Sequence, residues 1–416
     1  MSLFETFKEG RSNAEIANAS HLFIEAINAG QVNMKKLRSF GLRRLYEAIV
    51  GPDLPMHRWM NPGQEQAANK MFFEEVSGPR ASAFTNITGK MVLDGVLEGF
   101  TAESLVADQL FEVFTDRNDG GRWGGMDWID DDSIEVKEGH EYPNTDFAED
   151  YVDTPFSTKR GLKIGVTREI VHFDQTGLLM QRSRMVGERV SVNRENRMLD
   201  TFLGLDNPYK RKGTFSNTYV GSGPRQNLLT GVELVDWTDI EEALQLFAEM
   251  VDDRADGEPI EVTPSQLVVM PRKLFTARRI LNASEVRHTT GGNSVADGAG
   301  ALGPNDNIET MGANPITDNY EIISTNRMYQ RLQKPHTDIH QGTVIAGLSA
   351  ADAQKVWFLG DFKRSFKYRT IFPLEVISAG AEHPAFFDKD VVMQFRASER
   401  GVPFVVDPWH VMRIQG

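Results

Sequence analysis

Apolar residues recur every seven positions through one long stretch of the chain: Leu178, Met185, Val192 and Leu199, flanked by Leu179, Val186, Phe202 and Leu203. Arg182, Arg184, Glu188, Arg194, Glu195 and Arg197 fill the positions between them. That alternation marks a helix with one buried face and one solvated or interfacial face. The spacing predicts a helix from about residue 174 to 203, on the order of 45 Å long at about 1.5 Å per residue. A beam of that length suits a flat, elongated subunit better than a compact enzyme.

The chain ahead of this helix reads differently. Residues 91–115 look helical and then extended. From about Ser133 to Ile170 there are two strand-like runs joined by a polar, acidic connection with no evident apolar face. So long a hairpin seldom stands without a core beneath it, so it is expected to lean on another molecule. Its first part carries Asp146, Glu149, Asp150 and Asp153, and its second part Lys159, Arg160 and Lys163. These charges have two open pairings: across subunits, or as ordinary cross-strand pairs within the hairpin, worth about 0.2–1 kcal/mol each. If the first holds, deleting Asp146 to Asp153 spares folding and blocks assembly. Residues 1 to about 35 read as an arm with little core, and 34–50 as a basic amphipathic surface helix or arm.

Beyond the Gly- and Asn-rich link GSGPRQNLLTG the texture becomes that of an α/β core. Thr238 with Glu241 forms a capping box opening a helix whose face is Ile240, Leu244, Phe247, Ala248 and Val251. A buried-type strand, Leu267 to Met270, precedes another helix starting near Pro271. A Gly-rich loop (289–304) follows, then strand-like runs at YEIIST, TVIAGL, KVWFLGDF, KYRTIFPLEVIS, DVVMQFRASE and VPFVVDPW.

Composition narrows the class. The 416 residues predict two or more domains, and 40% hydrophobic with 25% charged residues is the make-up of a soluble globular protein. Lys+Arg 45 against Asp+Glu 59 gives 45 − 59 = −14, which argues against a protein whose main task is gripping nucleic acid. It suits a surface that lies near nucleic acid without adhering. With no cysteine, disulfides, thiolate chemistry and Cys-based zinc sites are excluded. No signal-peptide pattern opens the chain, and no window approaches the roughly 20 apolar residues of a membrane span. A soluble protein made in a cytosol, without membrane association, is expected.

Candidate chemistry changes the picture little. GAGALG, with Gly298, Gly300 and Gly303, is a literal dinucleotide fingerprint, but the strand and helix that the fingerprint needs are not predicted around it. It reads as a mobile loop. His336, Asp338 and His340 offer nitrogen and oxygen ligands to a divalent metal if extended, or simple surface polarity after Lys334-Pro335. Asp130, Asp131 and Asp132 read as a solvated turn. There is no G-x-S-x-G elbow and no Walker A. No catalytic, cofactor or metal residue is assigned, and no enzyme is expected.

The order of these segments resembles the major capsid proteins of tailed bacteriophages with the Hong Kong 97-type fold. Three passages carry the likeness: VKEGHEYPNTDF…STKRGLKIGVTREIVHFDQTG running into LLMQRSRMVGERVSVNRENRMLDTFLG, then VTPSQLVVMPRKLFTARRIL, then WFLGDFKRSFKYRTIFPLEVISAG…FFDKDVVMQFRASERGVPFVVDPWHV with Arg396, Glu399, Arg400, Gly401, Asp407 and Pro408. The resemblance implies an α+β fold laid out as an N-terminal arm (1–50), a peripheral domain (51–128), an extended hairpin loop (129–172), the peripheral domain again with its spine helix (173–221), an axial domain (222–375) and closing peripheral strands (376–416). It implies a homo-oligomer, pentamers and hexamers in a closed icosahedral shell, enclosing double-stranded DNA without sequence-specific binding. It further implies scaffolding and portal proteins, with or without a decoration protein, as partners, no cofactor, and a virion assembled in the host cytoplasm. Asp146, Glu149, Asp150, Asp153, Lys159, Arg160 and Lys163 become inter-subunit contact candidates. Gly291, Gly292, Gly298, Gly300 and Gly303 become candidates for a loop at the capsomer axis. A bacterial nanocompartment shell, enclosing enzymes instead of a genome, is the nearest alternative, and a soluble enzyme with a loop-based site a more distant one.

Overall fold

The long amphipathic stretch folds as one helix, Leu178–Phe202, close to the predicted bounds. The computed structural model of the chain describes residues 79–102, 105–126, 149–167, 178–251, 260–290, 308–314, 316, 320–379 and 391–416. In chain order its first elements are α1 (Pro79–Ala102), α2 (Ala107–Leu110), β1 (Glu112–Thr115), β2 (Gly121–Met126), β3 (Glu149–Thr154), β4 (Thr158–Thr167) and α3 (Leu178–Phe202). Then come β5 (Lys210–Arg211), β6 (Thr214–Phe215), β7 (Leu228–Thr230), α4 (Trp237–Ala248), β8 (Gln266–Val269), α5 (Leu274–Asn282), β9 (Glu285–Thr290), β10 (Ile308–Ala313) and β11 (Glu321–Ile323). The last are α6 (Asn326–Leu332), β12 (His336–Thr337), β13 (Val344–Ile345), α7 (Ala350–Ala353), β14 (Val356–Gly360), α8 (Phe362–Ser365), β15 (Phe366–Ala379), β16 (Val391–Val405) and β17 (Val411–Gln415).

The chain divides into two units, and the division falls inside α3, β15 and β16. The first draws on the described residues of Met1–Leu105, Thr158–Arg194 and Ile371–Gly401. Within it α1 buries Met91, Val92 and Val96, one helical face. The matching face of α3 is not the predicted heptad: Met185 is 55% exposed, whereas Ser183, Val190 and Ser191 are buried. Small side chains line this face because the two helix backbones approach closely. A methyl group at Gly99 would collide with the Arg184 carbonyl, and one at Gly187 with the Val96 carbonyl. Beside the helices, β4 pairs antiparallel with β16, from Thr158↔Gly401 to Lys163↔Arg396 and on to Val391↔Thr167 across a bulge.

The second unit draws on Val106–Ser157, Glu195–Thr370 and Val402–Gly416. Its centre is a five-stranded sheet in the order β11-β8-β14-β17-β7. β8 and β14 are buried at every position, as strands covered on both faces are. Their side chains alternate between two cores. Leu267, Val269, Trp357, Leu359, Met412 and Ile414 join α4 (Ile240, Ala243, Phe247) and α5 (Ala277, Ile280, Leu281). Val268, Val356, Phe358 and Val411 join the end of α3 (Met198, Leu199, Phe202, Leu203) and α6 (Met328, Leu332). Phe202 fills the middle of the second core, its ring 4.7 Å from that of Phe358, 5.1 Å from Phe362 and 5.3 Å from Phe366. Helices on both faces of one sheet make this unit the predicted α/β core.

Two local expectations change. The cap of α4 is Asp236, not Thr238: its carboxylate accepts from Trp237 N, while Asp239 at the third helical position accepts from the backbone N–H of Asp236. The helix starts one residue before Thr238, so the box Asp236–Asp239 wins over Thr238–Glu241. The closing strands expected at 376–416 do not stay together either. Residues 402–416 belong to the second unit, because β17 inserts between β14 and β7.

At the C-terminal end of α3, Gly204 adopts φ +71°, and Leu205 N and Asp206 N both donate to Asp200 O. The carbonyls left over are met by side chains: Tyr219 Oη donates to Phe202 O at 2.7 Å and Arg413 Nη1 to Leu203 O at 3.0 Å.

Candidate assembly surfaces

The two strands of the first unit's ribbon sort their side chains by alternation. One face carries Arg160 opposite Glu399, Leu162 opposite Ala397 and Ile164 opposite Phe395; Phe395, Ala397 and Glu399 are buried there. The other carries Lys159 opposite Arg400, Gly161 opposite Ser398 and Lys163 opposite Arg396. Lys159, Lys163 and Arg396 on this face are exposed and Arg400 half-buried. Like charges directly opposite one another destabilise a strand pair by a few tenths of a kcal/mol or more. Lys163 and Arg396 form such a pair, and the ribbon face is cationic on a protein of net charge −14. Among the described residues β4 is also the terminal strand of its sheet, in the order β1-β15-β16-β4. Lysines on such an edge discourage indiscriminate strand addition.

The hairpin expected between the acidic and basic runs does not form in the described residues. β3 pairs with β2, Glu149↔Met126 to Thr154↔Gly121, while β4 pairs with β16, so the two runs lie in different sheets. Asp153 is engaged within the chain, 3.6 Å from Lys210 Nζ and 3.9 Å from Arg122 Nε. Glu149 and Asp150 lie in β3 opposite Met126 and Gly125. Because β3 is an inner strand of the sheet β2-β3-β5-β6 and Val152 joins the core, deleting Asp146 to Asp153 removes folding elements. That corrects the expectation that such a deletion spares folding. Asp146 and the loop glycines Gly291, Gly292, Gly298, Gly300 and Gly303 lie outside the described residues.

The HTDIH segment is built for closure of a turn. Asp338 is buried; its Oδ1 accepts from His340 N at 2.8 Å and Gln341 N at 3.1 Å, and its Oδ2 from both the backbone and side-chain amides of Asn207 at 3.1 Å. Asp206 accepts from Ile339 N at 3.0 Å and lies 3.7 Å from His340 Nε2. Burial, with the Asp338 carboxyl hydrogen-bonded beside it, pushes the Asp206 carboxyl up to about 7. Burial also opposes the charge on Asp338, but the N–H groups of Gln341 and His340 and the Asn207 amide outweigh it and hold that carboxyl below its usual range. Burial lowers His340 as well, against the pull of Asp338. The pair thus divides one proton and one charge, Asp206 holding the proton and Asp338 the charge. Among the described residues no group of three or more acidic, His or Cys side chains is placed to hold a metal ion. No described helix is long and apolar enough to cross a membrane.

A family model described as phage capsid protein matches residues 150–414, from β3 to the end of β17. The chain belongs to the phage capsid protein family. A phage capsid protein is a structural component of the virion and acts in many copies, so contacts between copies are where its function lies. Among solved structures, the capsid of the cyanophage P-SCSP1u is similar with a TM-score of 0.48 and 12% identity, over 75% of this chain and 88% of that one. A structure from Mycobacterium phage Bobi is similar with a TM-score of 0.39 and 12% identity, over 75% and 90%. A virus-like particle from Pyrococcus furiosus gives a TM-score of 0.35 and 14% identity, over 78% and 95%. No curated protein sequence matches the chain.

The surface that sequence reasoning missed is the shared face of Lys159, Lys163, Arg396 and Arg400. The signal was present as a period of two on both segments, Lys159-x-Gly161-x-Lys163 and Arg396-x-Ser398-x-Arg400. Only the strand register makes it one surface.

Proposed function

We propose that this chain is the major capsid protein of a tailed phage or prophage, with the Hong Kong 97-type fold, assembling as pentamers and hexamers into an icosahedral shell around double-stranded DNA. The family match over residues 150–414 carries the reading. The 25-residue helix α3 supports it as the spine that stiffens the peripheral domain, and the α/β unit around β8 and β14 supports it as the axial domain. Residues 1–50 act as the arm, 129–172 as the extended loop, 222–375 with the closing strand in 402–416 as the axial domain, and 51–128, 173–221 and 376–401 as the peripheral parts. The loop glycines Gly291, Gly292, Gly298, Gly300 and Gly303 sit near the capsomer axis. Scaffolding and portal proteins, with or without a decoration protein, assist assembly in the host cytoplasm. The shell needs no cofactor and performs no catalysis.

The cationic ribbon face of Lys159, Lys163, Arg396 and Arg400 takes an acidic stretch of a neighbouring copy. The segment DWIDDDSIEVKEGHEYPNTDFAED supplies acidic side chains, Asp146, Glu149 and Asp150 among them, in one run. Extended contacts of modest individual strength let one chain serve both five-fold and six-fold rings.

Negative-stain electron microscopy of the purified protein, alone and co-expressed with its genomic neighbours, tests this reading. Uniform hollow particles or sheets of rings are the expected result. Small compact oligomers in every preparation overturn it, and shells that co-purify with an enzyme instead of DNA turn it toward a nanocompartment.

A further inference from the structure

Two helices on one face of the second unit's sheet carry opposite charge outward. α5 buries Ala277, Ile280 and Leu281 and turns Phe275, Arg278 and Arg279 to solvent, with Arg272 exposed in the turn just before it. Phe275 is 77% exposed, the most exposed of the large apolar residues in the described chain. α4 buries Ile240, Ala243 and Phe247 and turns Glu241 and Glu242 outward, with Glu249 exposed at the cap after it. At its N-terminal end Val235 is 55% exposed, an apolar side chain beside the acidic row. Each helix face is therefore one apolar contact followed by charge, with the signs reversed between the two. The faces belong to different flanks of the sheet. α5 lies against β11, one edge strand, and the chain enters α4 from β7, the other.

Complementary surfaces at different places on one subunit make a heterologous contact, and repetition of such a contact closes a ring. We propose that the Phe275–Arg278–Arg279 face of α5 docks on the Val235–Glu241–Glu242 face of α4 in a second copy of this chain, forming the contact repeated around each capsomer. An exposed aromatic beside arginines is the composition of an interface hot spot. On a chain of net charge −14, an outward face of α5 that carries Phe275, Arg278 and Arg279 and no acid is a local exception that a partner's glutamates would answer. Matched charge of this kind fixes partner, register and rate of encounter more than it adds affinity. The inference rests on the capsid reading.

The test is charge exchange in the full-length chain, with circular dichroism and thermal unfolding as controls for folding. Arg278→Glu with Arg279→Glu is expected to lower the assembled fraction, read by sedimentation velocity and electron microscopy, by about tenfold or more at low salt. Adding Glu241→Arg and Glu242→Arg to the same chain restores the complementarity with signs exchanged and is expected to recover rings. Wild-type yield of shells from the first variant overturns the contact while leaving the capsid reading intact. So does failure of the four-substitution chain to recover while it folds normally. Normal shells that have lost retained DNA assign the α5 face to nucleic acid instead and also overturn the proposal. A wild-type chain that never forms rings or shells overturns the capsid reading itself, and the ring contact with it.

Discussion

Gly99 of α1 and Gly187 of α3 sit in reciprocal positions, each facing the backbone of the other helix: Gly99 the carbonyl of Arg184, Gly187 those of Val96 and the N–H of Phe100. Replacing Gly187 by alanine in an isolated helix would stabilise it by about 1 kcal/mol. In this unit the sign reverses, because the added methyl meets backbone that cannot rotate away. Gly187→Ala is expected to lower subunit stability by about 1–3 kcal/mol. Gly99→Ala should do the same, and the double variant should lose less than the sum, since one displacement of the helices relieves both clashes. Chemical unfolding of the unassembled subunit reads all three. A raised unfolding midpoint for Gly187→Ala would contradict the close crossing.

This crossing also marks the limit of what the chain's hydrophobic pattern reveals. The extent of α3 was legible, because a helix of 25 residues repeats its period many times. Its buried face was not. Ser183, Gly187 and Ser191 are buried through close helix contact and look polar or neutral in a pattern, while Met185 looks apolar and lies 55% exposed. The α/β core was legible in QLVVM and VWFLG, whose continuous apolar runs need covering on both faces. β17 was not, since HVMRIQ is short and carries an arginine whose guanidinium is used at the end of α3. Of the cationic ribbon face, the basic residues of β4 were legible; their partner strand, about 230 residues further on, was a matter of long-range register that no local signal encodes.

Tyr219 gives a cleaner handle on the end of α3. Its ring packs inside the core and its hydroxyl meets the Phe202 carbonyl at 2.7 Å. Tyr219→Phe keeps the ring and leaves that carbonyl without its donor. The expected loss is about 1–2 kcal/mol, measured by chemical unfolding. A loss indistinguishable from zero would mean that the carbonyl finds water or another donor.

The Asp206–Asp338 pair makes stability fall with rising pH. Asp206 has a folded-state pKa of about 7, against 3.8 for an ordinary aspartate. A carboxyl raised on folding stabilises fully below its unfolded pKa, and that contribution is lost as pH rises through the folded value. Asp338, held low, acts in the opposite sense: its contribution is present above its unfolded pKa and lost as pH falls. The groups facing Asp206 are Asp338, Asp200 and His340. Asp200 is itself bound to Arg331, and His340 is held neutral by burial, so neither supplies a cation to replace the proton. Between about pH 4 and pH 7 the loss should be on the order of 3 kcal/mol, with little further change above about pH 8. Asp206→Asn, which mimics the protonated carboxyl, should flatten that slope while leaving stability near pH 4 close to that of the native chain. An unchanged slope in the variant would assign the pH dependence elsewhere.

The cationic ribbon face makes a prediction in which subunit and shell move in opposite directions. Lys163 lies opposite Arg396 on β16, a like-charge pair. Lys163→Glu converts it to an opposite-charge pair and should stabilise the isolated subunit by about 0.2–1 kcal/mol. If the face serves a neighbouring copy's acidic stretch, the same substitution should reduce shell yield, and Lys163→Glu with Lys159→Glu should reduce it further. A purely structural role for these lysines predicts the reverse, since a more stable subunit would assemble at least as well. Thermal unfolding of the subunit and particle yield by sedimentation, taken on the same preparations, separate the two. Improvement in both would remove the ribbon face from the assembly contact and leave its charge arrangement without a function between copies.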